Sequence, residues 1–206
     1  MHTEALTKEG LRLFPALPAF GSFYLAGGTA LALQIGHRVS VDFDLFSQGA
    51  IEGALLAKAE RIFALEPVAP LVDNADQLTF LTQSVKITFL HYPFPLLEAL
   101  VSLDGLSALS VREIAATKAY TIGRRGTYKD YIDLYFILME GKATLAEVIN
   151  MAERKFGTGF NSRLFAEQLL FLEDVRDYQI DFLKARVTPD ELTAFFRNQI
   201  EELPLR

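Results

Sequence analysis

Cysteine is absent from the chain, which excludes disulfide scaffolds, thiolate metal centres, iron–sulfur clusters and cysteine nucleophiles. Long apolar runs are missing as well. No stretch approaches the ~20 residues a bilayer-spanning helix needs, and charges interrupt every helical segment. The opening MHTEALTKEG is polar and carries Glu4 and Glu9, unlike a secretory signal. Nor is there an excess of positive charge. With 20 Lys and Arg against 26 Asp and Glu the net charge is -6, which argues against a general nucleic-acid coat but leaves room for a local basic pocket. Internal repeats, low-complexity tracts and Gly/Ser linkers are also lacking. What is present is apolar. Half of the 206 residues are hydrophobic, 22% are charged, and 17 are Phe. That is ample for a packed core and too apolar for a disordered chain. The expectation is a soluble, cytoplasmic α/β protein with no membrane partner, built as one domain or a small domain plus an appendage.

Hydrophobic spacing sets out the elements. Leu6, Leu11 and Phe14 fall on one face of a short helix across residues 3–14. Phe23-Tyr24-Leu25 is a short apolar run ending at Gly27-Gly28, and residues 29–36 read as an Ala- and Leu-rich helix closed by Gly36. Residues 41–46 (VDFDLF) alternate apolar and acidic, as a strand does. A helical pattern over 51–65 stops before Pro67. Leu78–Leu81 and Val85–Leu90 read as a hairpin turning at Gln83-Ser84. Beyond Ser110 the pattern is helical, over 111–122, 128–139, 144–155, 161–172 and 190–202. Composition divides the chain near residue 105: a mixed first part over 1–105, and a helical region over 106–206 expected to complete the site of the first.

The chemistry concentrates in residues 24–46. A strand ends in Gly27-Gly28 and a helix starts at Thr29. Unpaired N–H groups at a helix start, reached without a Cβ in the way, suit a phosphate. Thirteen residues then separate Gly28 from Asp42, and Asp44 follows two positions on. On a strand, positions i and i+2 share a face, so both carboxylates project together. Two close carboxylates repel unless a divalent cation lies between them, and Mg²⁺ is the expected ion because it takes few protein ligands and fills its shell from substrate phosphates. Taken singly, Gly-Gly before a helix is an ordinary tight turn and Asp-x-Asp an ordinary solvated edge. Their combination in one strand–turn–helix–strand frame is far more specific.

Gly27-Gly28-Thr29 with Arg38-x-Ser40-x-Asp42-x-Asp44-Leu45-Phe46 resembles the AbiEii/AbiGii-type nucleotidyltransferases. These are toxins of abortive-infection and type IV toxin–antitoxin systems within the polymerase-β-like superfamily. A second match covers Lys118, Arg125 and Lys129-Asp130-Tyr131-Ile132-Asp133-Leu134-Tyr135. The resemblance implies a minimal nucleotidyltransferase fold, α/β (α+β), with a small mixed sheet flanked by helices and a helical C-terminal part. It implies transfer of a nucleoside monophosphate from an NTP to an acceptor hydroxyl, with release of pyrophosphate. Asp42 and Asp44 would hold Mg²⁺, with Lys118 as the third catalytic residue. Gly27, Gly28, Thr29, Arg38, Ser40, Arg125, Lys129, Asp130 and Asp133 would bind the nucleotide. Members of the family have been linked to GTP and to nucleotide addition on RNA such as tRNA, so an NTP, an RNA acceptor and a cognate antitoxin are the implied partners.

Three features temper or extend this reading. Lys118, Arg124, Arg125 and Lys129 put four cations into twelve residues, a local positive patch that could meet phosphates or remain a solvated loop. Asp130 and Asp133 could instead pair with these cations, and Asp130 could cap the helix starting near Tyr128. Ser40 is equally suited to structural hydrogen bonding, and His37 is expected to fill surface. Enzymes of the superfamily usually add a third carboxylate from a neighbouring strand. The segment Val85-Lys86-Ile87-Thr88-Phe89-Leu90 carries none; Asp73 and Asp76 are substitutes, although they also suit a turn around Asn74. A weakly active or inactive nucleotide- or RNA-binding module of the same fold is the alternative.

Overall fold

The computed structural model describes residues 1–51, 53–64, 66–172, 175 and 179–203. The chain divides into two compact units, one of Met1–Pro95 with Ala99–Leu109 and one of Leu96–Glu98 with Ser110–Arg206.

The first unit is built on a seven-stranded mixed sheet of order β3-β4-β5-β2-β1-β7-β6. Its strands are β1 (Tyr24–Ala26), β2 (Phe43–Ser47), β3 (Ala69–Asp73), β4 (Gln77–Thr82), β5 (Val85–His91), β6 (Val101–Leu103) and β7 (Leu106–Ala108). Only β2 with β5 and β1 with β7 run parallel; the remaining neighbours are antiparallel. Phe43 and Leu45 on β2, and Val85, Ile87 and Phe89 on β5, are buried, while the residues between them are partly exposed. The period-2 pattern therefore lays one face of the sheet on the core and leaves the other for polar groups. Phe89 packs 4.7 Å from Phe20 and 4.9 Å from Phe23, centroid to centroid. Helices α1 (Lys8–Leu13), α2 (Gly27–Ile35) and α3 (Leu55–Ile62) belong to this unit. Almost the whole of α2 is buried, which explains why its Ala- and Leu-rich sequence lacks a polar stripe.

Several boundaries depart from the sequence reading. The expected helix over 3–14 is split. A 3-10 turn at Thr3–Ala5 precedes α1, and Leu6 between them forms a bridge with Ser40. Leu11 is exposed rather than part of an apolar face. Helix α3 is shorter than the 51–65 pattern, of which residues 52 and 65 lie outside the described residues. Strands β3, β6 and β7 were not foreseen. Pro70 and the exposure of β3 hide the alternation there. Three-residue strands are too short for β6 and β7 to show a period, although Asp104-Gly105 between them, both at positive φ, is a strong hairpin signal.

The second unit is helical: α4 (Val111–Arg125), α5 (Tyr128–Met139), α6 (Leu145–Phe156), α7 (Ser162–Leu169) and α8 (Pro189–Glu201). Several of their starts carry side-chain caps. Ser110 accepts from the Glu113 amide, and Thr144 with Glu147 and Thr188 with Glu191 form capping boxes. Glu113 has a second task. Its fully buried carboxylate meets Lys155 Nζ at 2.7 Å and accepts hydrogen bonds from the Leu97 and Glu98 amides. Three donors thus converge on one carboxyl group, and Lys155 balances its charge. Lys155→Met should lower stability by about 3–5 kcal/mol, because it strands that buried charge. Urea denaturation measures this, and a loss below about 1 kcal/mol would show the pair to be dispensable.

Candidate functional site

The site in the first unit begins where β1 stops. Ala26 is extended, and α2 opens on Gly27 at φ +65. The antiparallel register sets Ala26 opposite Asp44, so the turn leaving β1 passes beside the Asp44 carboxylate. A Cβ placed on Gly27 would lie 2.7 Å from Asp44 Oδ2. Glycine is therefore required twice, by the left-handed backbone and by the close approach. Among the described residues no side-chain cap is made at the N-terminus of α2, whose N-cap is Ala26, which leaves the first-turn amides of Gly27 and Gly28 to other acceptors.

Thr29, in the same turn, is buried. Its hydroxyl bonds Ser40 Oγ at 2.7 Å and donates to the Asp42 carbonyl. Ser40 is held in turn by its backbone, which donates to the Ala5 carbonyl at 2.8 Å. These bonds tie the start of α2 to the segment that delivers Asp42. Arg38 is buried at 4% exposure; its Nη1 donates to the Val39 carbonyl at 3.1 Å and lies 3.5 Å from Ser40 Oγ. His37 corrects the expectation of a surface residue, being 0% exposed. The left-handed Gly36 that closes α2 turns the chain so that His37 and Arg38 run inward.

Asp42 directly precedes β2 and Asp44 lies within it, both partly exposed. The parallel neighbour places Thr88 beside Asp44, and Lys86, two positions before Thr88, reaches Asp42 Oδ2 at 3.2 Å. Thr88 lies 3.4 Å from the hydroxyl of Thr79 on β4. The strand beside the aspartates thus offers a hydroxyl and an ammonium rather than an acid. Asp73 and Asp76 do not fill the gap. Asn74 Oδ1 accepts from the amides of Asp76 and Gln77, Asp76 pairs with His91 at 3.1 Å, and His91 is in register with Ser47. Their turn therefore sits at the far end of β2 from Asp42.

Among the described residues no group of three or more His, Asp or Glu side chains clusters as a metal site would. The donors that are present still fit a hard divalent cation. Asp42 and Asp44 are two carboxylates on the same face at accessible positions, which is the number of protein ligands Mg²⁺ commonly takes beside substrate oxygens and water.

In the second unit the other predicted residues meet one another. Lys118 Nζ lies 2.7 Å from Asp130 Oδ1 and 2.5 Å from Asp133 Oδ2, with all three side chains buried or nearly so. Asp130 Oδ2 also accepts from the amide and hydroxyl of Thr127, closing a capping box at the start of α5. Burial and the charge of Asp130 push the Tyr131 phenol up to about 12. The patch of four cations is dispersed accordingly. Lys118 is neutralised by two carboxylates, and Arg124 lies 4.3 Å over the Tyr120 ring while donating to the Gly159 carbonyl at 3.0 Å. Lys129 is partly exposed in the first turn of α5, and the Arg125 side chain lies outside the described residues.

The family model of the AbiEii nucleotidyl transferase toxins of type IV toxin–antitoxin systems matches residues 11–205. The chain belongs to that family. It is a nucleotidyltransferase. An uncharacterized protein of Aquifex aeolicus is 30% identical over 197 residues, spanning 95% of this chain and 94% of that one. Among solved structures, MenT4, a nucleotidyltransferase toxin from Mycobacterium tuberculosis, shares the fold with a TM-score of 0.58 at 16% identity, over 98% of this chain and 88% of its own. JHP933 from Helicobacter pylori does so with a TM-score of 0.55 at 15% identity, over 96% and 94% respectively. The mixed sheet with its flanking helices is thus the nucleotidyltransferase toxin fold. Among the described residues no helix is long and apolar enough to cross a membrane.

Sequence reasoning names the aspartates and the glycine turn as candidates and points to residues 85–90 as the neighbouring strand, but it does not foresee the contact of Lys86 with Asp42. The geometry of the turn yields a direct test. Gly27→Ala should destabilise the protein by about 1–2 kcal/mol, since it forces an L residue into the left-handed region. It should also displace the Asp44 carboxylate. Thermal unfolding and a structure of the variant check both; an unchanged melting temperature would refute the stated need for glycine.

Proposed function

We propose that this nucleotidyltransferase moves a nucleoside monophosphate from an NTP to a hydroxyl of an RNA such as tRNA, with Mg²⁺ as the metal and a cognate antitoxin as its regulator. The observation that carries this reading is the contact between the start of α2 and Asp44, which brings open helix amides and a carboxylate pair together in one small region. We assign Asp42 and Asp44 as the metal ligands. When bound, the metal neutralises triphosphate charge and polarises the group being transferred. The Gly27 and Gly28 amides, and that of Thr29, would receive phosphate oxygens, favoured by the helix dipole. The Thr29 and Ser40 hydroxyls, already bonded to each other, would act by holding this turn at a fixed distance from Asp42.

Lys118 is assigned as the catalytic cation, and Arg38, Ser40, Arg125, Lys129, Asp130 and Asp133 as further nucleotide-binding residues. The roles of those in the second unit rest on the resemblance of Lys118 to Asp133 to the family's later motifs. An NTP, with GTP first to be tried, and an RNA acceptor are cytoplasmic substrates, and the cytoplasm is the compartment we assign.

Incubation with each labelled NTP, Mg²⁺ and total cellular RNA should transfer label to RNA from one nucleotide preferentially. Asp42→Asn and Asp44→Asn should each reduce transfer by more than ~10²-fold, the scale on which a single charge-stabilising group acts, while the fold persists. If both variants kept wild-type transfer, the metal assignment would be lost. Lys118→Ala calls for a parallel stability measurement. It leaves Asp130 and Asp133 without their shared cation, and should cost about 3–5 kcal/mol in urea unfolding before any effect on turnover is read.

A further inference from the structure

Lys86 is placed with more care than an ordinary surface lysine. It lies on β5, which is paired on both sides: antiparallel to β4, where Leu81 is its register partner, and parallel to β2. Its strand neighbours Val85 and Ile87 are buried, so parity fixes the Lys86 side chain on the opposite, polar face. There it meets Asp42 Oδ2 at 3.2 Å, with 45% of the lysine and 36% of the aspartate side chain exposed. The adjoining strand, where a nucleotidyltransferase of the wider superfamily would supply another acid, supplies a positive charge.

We propose that Lys86 is a tethered counter-ion of Asp42 that competes with the divalent cation, so that the nucleotide-free protein binds metal weakly and takes it up together with the charge of the triphosphate. The proposal rests on the reading of Asp42 and Asp44 as metal ligands. An ammonium at 3.2 Å relieves the repulsion between the two carboxylates without any metal. A divalent ion entering against Asp42 must then break that ion pair or share the carboxylate with a like charge only a few ångströms away. The lysine stem is flexible and partly solvated, so it can swing clear. The penalty is therefore that of losing one exposed ion pair plus residual repulsion, not a block. An incoming triphosphate changes this balance, because its own negative charges offer both the metal and the freed ammonium a partner.

A merely structural ion pair would leave metal affinity unmoved, so affinity is the quantity to measure. The nucleotide-free full-length chain is titrated with MnCl2, free Mn²⁺ being read by electron paramagnetic resonance. Lys86→Met should bind Mn²⁺ more tightly than wild type by roughly 3–10-fold, the range that follows from releasing an exposed ion pair and its residual repulsion. Lys86→Arg, which keeps the charge, should stay near wild type. Asp42→Asn should abolish the site in both the wild-type and Lys86→Met backgrounds. Saturating Mn²⁺ should also raise the Tm of Lys86→Met more than that of wild type, since Asp42, having lost its lysine, has more to gain. Equal, Asp42-dependent affinity in wild type and Lys86→Met overturns the role of Lys86 and leaves the metal ligands standing. Binding that is absent throughout, or indifferent to Asp42→Asn, overturns both.

Discussion

A single close approach, Gly27 against the carboxylate of Asp44, governs the first unit. Helix α2 can begin immediately at the end of β1 only because residue 27 adopts a left-handed backbone and carries no Cβ. With any other residue the chain would have to leave the strand later or swing wider, and the helix start would move away from β2. The antiparallel pairing of β1 with β2, the burial of α2 and the hydroxyl pair Thr29–Ser40 all reinforce one distance. A short buried helix is well suited to this duty. It has no solvated face on which to shift, so its first turn stays fixed relative to the sheet.

Much of this frame was legible in the sequence, for reasons particular to each element. Residues 41–46 announced a half-buried strand by strict alternation, and β2 carries that pattern into the structure. The helical pattern over 111–122 and 128–139 placed the starts of α4 and α5 where the structure has them, and Asp130, named as a capping candidate, closes the capping box of α5. What the sequence withheld was long-range contact. The parallel union of β2 and β5 joins segments about forty residues apart through a crossover; the family resemblance points to residues 85–90 as the neighbouring strand, and nothing local in Lys86 declares its contact with Asp42. The inward course of His37 was hidden likewise, since it depends on the turn made by Gly36.

Buried and accessible ion pairs do different things. In the helical unit, Lys118 with Asp130 and Asp133, and Lys155 with Glu113, are ion pairs removed from solvent. Such pairs add little net stability over apolar packing, but they penalise any arrangement that separates the partners. They therefore select one packing of the helices over its alternatives. In the sheet unit, the Asp42–Lys86 pair stays in contact with water, where an ion pair is weak and exchangeable. Buried charge fixes geometry, whereas accessible charge keeps a partner replaceable.

The two-residue link between β4 and β5 shows what such replaceability demands of the backbone. Gln83 and Ser84 both sit at positive φ, at 48 and 64, in a turn where Asn-Gly would rest more easily. The chain tolerates two strained residues and gains the shortest possible hairpin, in which Thr82 faces Val85 and Leu81 faces Lys86. Strands alternate sides, so a slip of a single position would carry Lys86 into the hydrophobic layer and bring Ile87 out beside the aspartates. The strain in this turn therefore acts as a ratchet pin, holding one positive charge on the side of the sheet where it has something to guard.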